Sequence, residues 1–319
     1  MFPMRIRIFL LVSTLLLIAA SPQTFSGQAA ATATEPQLVI LDTDIGDDID
    51  DAFALALVLK SPELKLVGVT TEFGNTEMRA KLVDRYLKAV GRPDIPVLAG
   101  VATPEQGKLS QRAYAEGSNS GKHGDGVAFI LQQIRAHPGQ ITLIGIGPLF
   151  NVQAAIAKDP ATFKRLKRAI LMGGSVYRGY GPAGAAPGPE WNILCDPDGL
   201  KALLGSGVPV YMMPLDSTQI HLDQKAQATI FSHGSALTDQ VTLLFHEWSG
   251  AGEWKTPTLF DPVAVTYAIR PDLCPATPMR IEVDDKGATI PVQGAANAQV
   301  CLKSDEQGFL ALLLDRLTR

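Results

Sequence analysis

From residue 37 onward, short apolar runs alternate with stretches whose hydrophobic residues recur every three or four positions. The runs at 37–41, 64–70, 95–98, 141–146, 169–172 and 208–213 are short, bounded by polar residues, and read as strands. Between and after them, 50–60, 77–90, 127–137, 149–157, 198–204 and 240–248 carry helical patterns. Gly91 stands where a glycine closes a helix, and Pro138-Gly139 stops another. Runs that are apolar throughout predict strands covered on both faces, which is the habit of parallel sheets. The expectation is an α/β protein: a mostly parallel sheet flanked by helices on both faces, in one domain over 36–319. Two glycine-rich stretches, 117–121 and 178–189, interrupt the pattern and read as surface loops or lids.

Residues 1–35 follow a different rule. Arg5 and Arg7 precede an apolar run at 8–20, and small residues follow through Ala31. That order reads as a cleaved secretory signal peptide, and the run is short for a membrane span of about 20 residues. An exported protein, periplasmic or extracellular and without a stable membrane anchor, is expected. Export also permits a disulfide. The three cysteines, Cys195, Cys274 and Cys301, allow one bridge and leave one thiol over; none forms a C-x-x-C pair.

Composition narrows the function. The chain has 319 residues, of which 28 are basic and 32 acidic, giving a net charge of -4. That balance provides no electrostatic footprint for nucleic acid. At 46% hydrophobic the chain can bury a sizeable core.

The chemistry concentrates after the first strand. Residues 42–51 read DTDIGDDIDD, with carboxylates at Asp42, Asp44, Asp47, Asp48, Asp50 and Asp51. Carboxylates this close raise one another's pKa unless a cation neutralises them. Hard oxygen ligands select calcium or magnesium. Acids also favour a helix N terminus, but six in ten residues exceed what capping needs. An EF-hand is excluded, because Gly46 is at position five and Phe53 at position twelve of the loop. A haloacid-dehalogenase-like phosphatase also begins strand-D-x-D, with Asp42 as nucleophile and Asp44 as acid, and stands as the alternative enzyme.

The segment DTDIGDDIDDAFALAL resembles the N-terminal signature of the nucleoside hydrolase family, the inosine/uridine- and purine-preferring ribonucleoside hydrolases. The resemblance continues through Gly74-Asn75, His123-Gly124-Asp125-Gly126, Gly147-Pro148-Leu149-Phe150-Asn151 and Met172-Gly173-Gly174. It extends to Glu190-Trp191-Asn192 with Asp196-Pro197, then Pro214-Leu215-Asp216 and Asp261-Pro262-Val263-Ala264. It implies the family's fold, an open, mostly parallel sheet with a Rossmann-like core, and calcium-dependent hydrolysis of the N-glycosidic bond of ribonucleosides to free base and ribose, by a protein that is often a dimer or tetramer.

The resemblance also implies roles. Asp44, Asp51, Asp261 and the backbone carbonyl of Phe150 would hold calcium together with the two cis hydroxyls of ribose. Asp44 would also be the general base towards a calcium-bound water, whose pKa the metal lowers. Asp50, Asn75, Glu190 and Asn192 would grip the ribose. The transition state would be oxocarbenium-like, with inversion. A binding protein that keeps these ligands without turnover is the alternative outside enzymes.

This chain departs from the pattern at several points. Its acidic segment is two residues longer than the commonest signature, so Asp47/Asp48 compete with Asp50/Asp51. The latter pair is preferred because Ala52-Phe53-Ala54-Leu55 follows it as a helix start. The asparagine expected before Glu190 has no equivalent in 184–189. Phe260 occupies the position before the last aspartate, where broad-specificity members often carry a histidine acid. With Trp248 and Trp254 it could stack a base, which leans the reading towards purine nucleosides. His123, in its glycine-rich loop, is expected to line the pocket.

Overall fold

The computed structural model describes residue 1 and residues 35–105, 109–250 and 255–319. The expected leader at 2–34 and Trp254 lie outside the described residues. Ten strands occur among them: β1 (Gln37–Thr43), β2 (Leu64–Thr71), β3 (Val97–Ala99), β4 (Gly124–Asp125), β5 (Thr142–Gly145), β6 (Arg168–Met172), β7 (Val210–Met213), β8 (Ala276–Val283), β9 (Thr289–Val292) and β10 (Ala298–Cys301). They join in the order β4-β3-β2-β1-β5-β6-β7-β10-β8-β9. Every pairing from β4 to β10 is parallel, and β8 is antiparallel to both its neighbours, β10 and β9.

β1 is central, and its side chains alternate between two cores. Val39 and Leu41 pack into one cluster with the helix Asp50–Leu59, and Ile40 into the other with the helix Gly126–Ala136. Both faces are therefore apolar, which is why the run shows no polar alternation. After β1 the chain winds outward to β2, β3 and β4, then returns to place β5 on the opposite side. The carboxyl ends of β1 and β5 thus flank a topological switch point, where open α/β sheets leave a crevice.

Element edges follow local chemistry. Helix Thr76–Ala89 is capped by Asn75, whose side chain accepts from Met78 N, and Gly91 follows it at φ +74°. Gly46 ends the β1 turn at φ +125°, and a Cβ there would meet Leu109 at 2.5 Å.

The C-terminal third was not anticipated. β8 and β9 are mostly half-buried, with only Ile281 and Thr289 fully buried, carry Pro278 and Pro291, and show no regular alternation. Helix Asp261–Ile269 is buried on all sides from Asp261 to Ala268, so it lacks an amphipathic period. Cys274 and Cys301 form a disulfide with Cα atoms 5.6 Å apart, linking the start of β8 to the end of β10. Cys195 is the thiol left over.

Candidate active site

Two buried helices bring their N termini to the crevice. Helix Asp50–Leu59 carries Asp50 and Asp51 in its first turn, and helix Asp261–Ile269 begins with Asp261 and Pro262. The helices pack against each other. Ligand oxygens of Asp50, Asp51 and Asp261 lie within 4.8 Å of one another, and all three residues are buried. Burial first, and then repulsion from neighbouring carboxylates, Asp44 and Asp48 among them, pushes each carboxyl well above its ordinary range. The partial positive charge of two helix N termini offsets part of this.

Little else neutralises the triplet. Asp51 Oδ1 accepts from the Thr43 hydroxyl at 2.5 Å, and Asp50 Oδ2 from Asp261 N at 3.3 Å. No hydrogen bond from the described residues reaches the Asp261 carboxylate. Arg79 is the buried cation nearby, and its guanidinium is engaged elsewhere. It donates to the carbonyls of Phe73, Asp44 and Ile45 and pairs with Asp47 at 2.8 Å. An all-oxygen donor set with excess negative charge fits a hard divalent cation.

Asp44 follows β1 directly and lines the same cavity, of about 370 Å³. Its carboxyl is pushed up to about 7, chiefly by burial and against the pull of Arg79. Beneath it lies a polar floor. Asn151 donates from Nδ2 to Asp42 Oδ1 at 2.7 Å and from its backbone N to Glu72 Oε2 at 3.1 Å, and it accepts from Val101 N at 2.8 Å. Asp42 is fully buried and also accepts from Thr70 at 2.5 Å. It cannot serve as the exposed nucleophile that a phosphatase of this motif needs.

Glu190 closes the other wall. Its carboxylate caps helix Trp191–Cys195, accepting from Asn192 N at 2.9 Å and Ile193 N at 3.3 Å, and takes Gly174 N at 2.9 Å. Asn192 Nδ2 donates to the Ile146 and Met172 carbonyls, which orients its amide in the cavity wall. Trp248 and Phe260 also line the cavity.

The structure therefore brings together Asp44, Asp50, Asp51, Asp261, Glu190, Asn192, Trp248 and Phe260. Asp50 forms the tight triplet with Asp51 and Asp261, because the first helical turn carries both carboxylates inward, and Asp44 lines the same cavity. Other expectations are corrected. Asn75 is engaged as a helix cap and does not line the cavity. His123 lines a different hollow and is bound through Nδ1 to Glu77 at 2.9 Å. Phe150 opens helix Phe150–Lys158, stacks on Phe73 at 6.1 Å and does not line the cavity. Asp47 is held by Arg79, and Asp48 is at the mouth, accepting from Ile49 N.

Tyr180 and Trp191 line the cavity and were not anticipated. Trp191 stands between two expected residues and could have been found there. Tyr180 lies in a loop whose composition says only that it is irregular. Arg79, in helix Thr76–Ala89, was not anticipated either and is buried.

Residues 39–311 match the family model described as inosine-uridine preferring nucleoside hydrolase. A pyrimidine-specific ribonucleoside hydrolase, RihA of Salmonella enteritidis, is 30% identical over 312 residues, covering 88% of this chain and 97% of that protein. An uncharacterized protein of Schizosaccharomyces pombe is 30% identical over 315 residues, covering 88% and 99%. Among solved structures, a plant nucleoside hydrolase superposes with a TM-score of 0.77 at 25% identity, over 89% of this chain and 99% of its own. A purine-preferring ribonucleoside hydrolase from Gardnerella vaginalis gives 0.74 at 26% identity, over 88% and 98%.

Proposed function

Because this chain belongs to the nucleoside hydrolase family and is a metal-dependent hydrolase of N-glycosyl bonds, we propose that it is an exported, calcium-dependent ribonucleoside hydrolase with a preference for purine nucleosides. The observation that carries the reading is the buried Asp50-Asp51-Asp261 triplet sharing one cavity with Asp44 and Glu190. Calcium bound there would neutralise the carboxylates, hold the cis-diol of ribose and lower the pKa of a nearby water.

The protein's own groups do the rest. Asp44 accepts the proton of the attacking water, on the face of the sugar opposite the base, so the anomeric centre inverts. Asp50 accepts from a ribose hydroxyl. Glu190 and Asn192 hold the far side of the sugar. The summed negative charge stabilises the oxocarbenium-like transition state as the base departs. Trp248, Trp191 and Phe260 offer aromatic faces to the leaving base. Phe260 holds no proton to give, so a base that leaves well once stacked, such as a purine, suits this wall.

Export is supported by the basic and apolar N-terminal segment and by the Cys274–Cys301 bridge, since disulfides persist in oxidising compartments. No helix among the described residues is long and apolar enough to cross a membrane. Assembly into dimers or tetramers is part of the proposal, and light scattering measures it.

The deciding experiment is base release from inosine, adenosine, guanosine, uridine and cytidine, with calcium and after chelation. Calcium-dependent release ranked with purines first is expected. Release from pyrimidines alone overturns the purine preference, and binding without release leaves a nucleoside-binding protein.

A further inference from the structure

The cavity is lined by more carboxylates than one divalent cation neutralises. Beyond Asp44, Glu190 and the Asp50-Asp51-Asp261 triplet, its lining includes Asp47 and Asp48, and among the described residues no lysine, arginine or histidine. Asp47 is answered by Arg79. Asp48 forms no ion pair with a described residue, and its carboxylate accepts from Ile49 N at 2.7 Å. The turn that carries it is anchored. Ser110 Oγ donates to the Asp47 carbonyl at 2.7 Å, and the buried Gln111 donates from Nε2 to the Asp48 carbonyl at 2.8 Å. An unpaired carboxylate is thus held in place at the cavity mouth.

The same cavity has an aromatic wall of Trp191, Trp248, Tyr180 and Phe260. Tyr180 stands edge-on to Phe260, with ring centroids 6.0 Å apart. Its loop is clamped by Gln219, which donates from Nε2 to the Gly179 carbonyl and accepts at Oε1 from Gly181 N, both at 3.0 Å. Aromatic faces attract cations, tryptophan most strongly. Trp248 already faces one: the Lys255 ammonium is 5.7 Å from its ring centroid, and Lys255 does not line the cavity.

This wall is poor in acids. A neutral base that takes the bonding electron pair leaves as an anion and needs a proton. Phe260 has none, and the Tyr180 hydroxyl is committed to Glu190 Oε1 at 3.3 Å.

We propose that the cavity takes purine ribosides whose base carries a fixed positive charge, as methylation at N7 gives, and that Asp48 and the tryptophan wall recognise that charge. The inference rests on the ribonucleoside reading above. In such a substrate the C1′–N9 bond breaks with its electron pair passing to N9, which cancels the positive charge of the ring. The base leaves neutral without an acid. The oxygen of water bonds to C1′, and the proton it sheds passes to Asp44 and then to solvent. Riboside cation and water therefore give ribose, neutral base and one proton.

The test compares guanosine with 7-methylguanosine in mildly acidic buffer, where the latter is a cation, with calcium present. In the wild type kcat/KM should favour 7-methylguanosine by about 10²-fold or more, the share that a general acid would otherwise supply. Asp48→Asn should lower kcat/KM for 7-methylguanosine about two- to fivefold, the worth of a partly exposed charge pair, and leave guanosine unchanged. Calorimetry with cationic 7,9-dimethylguanine and neutral 9-methylguanine reads charge recognition apart from bond lability, and the cation should bind more tightly. Equal binding of the two bases overturns the proposal, and so does a preference for 7-methylguanosine that Asp48→Asn leaves intact. If the wild type hydrolyses neither riboside, the ribonucleoside reading fails, and the two binding constants still decide whether the wall selects a cation.

Discussion

Arg79 sets a buried positive charge under a site that is otherwise negative. Its guanidinium binds the Asp44 and Ile45 carbonyls and the Asp47 carboxylate, so it fixes the turn that carries Asp44 as well as lowering the local potential. Arg79→Met leaves those acceptors and Asp47 without a partner. It should cost about 3 kcal/mol in urea unfolding, the order found when one member of a buried pair is removed. Asp44 itself is proposed to act on water and stands apart from the tight triplet. Asp44→Asn should lower kcat by about 10²- to 10⁴-fold, as loss of a general base does. Calcium affinity should fall far less, because Asp50, Asp51 and Asp261 remain. A variant that lost calcium and activity together would make Asp44 chiefly a ligand. Close approach matters as much as charge. A Cβ on Gly100 would lie 2.0 Å from Asn151 Oδ1, so Gly100→Ala should push Asn151 off Asp42 and cost about 1–3 kcal/mol, read as a lower thermal midpoint.

At the scale of elements, the site is the meeting of two helix N termini. Helix Asp50–Leu59 and helix Asp261–Ile269 are buried along almost their whole length and contribute their first turns to one point. Three carboxylates at that point are costly without a cation, and the direction of their shifts says how the cost depends on pH. Asp44 moves from the ordinary 3.8 to about 7, and Asp50, Asp51 and Asp261 move in the same direction. For an acid raised on folding, stability is fully present below its unfolded pKa and is lost as pH rises through its folded pKa. In chelator, the thermal midpoint should therefore fall as pH rises from about 4 through 7. Saturating calcium should remove most of that fall and raise the midpoint at pH 7.5. Scanning calorimetry at several pH values, with and without calcium, measures both. A chelated protein that gains stability through the same window contradicts the charge accounting.

At the scale of the molecule, the reversal of strand order between β1 and β5 places the cavity, and the C-terminal third completes it. Helix Asp261–Ile269 delivers the last carboxylate. β10 then inserts between β7 and β8, and the Cys274–Cys301 bridge ties that addition together. The bridge closes a loop of 27 residues in sequence, for which the chain-entropy argument gives about 3.5 kcal/mol. Replacing both cysteines by alanine should lower unfolding stability by about that amount. Calcium binding should persist at temperatures where the fold does, because neither cysteine lines the cavity.

Much of this was legible in the chain itself. The run QLVIL at 37–41, followed by six carboxylates in ten residues, announces a buried parallel strand feeding a charged crevice, because apolar runs and dense like charges each admit few folded solutions. The helix starting Asp50-Asp51-Ala52 was readable for the same reason, and Glu190-Trp191-Asn192 by its resemblance. Tertiary structure alone decided the rest. It set Asp50 beside Asp51 and Asp261, the pair that the resemblance had already implied, and left Asp47 to Arg79. It turned Asn75 and His123 away from the cavity and brought Tyr180 into it. Local sequence encodes periodicity and capping, which act over a few residues. Which buried helix ends meet, and which loop is clamped over them, depends on packing between distant segments, and no short window of the chain contains both partners.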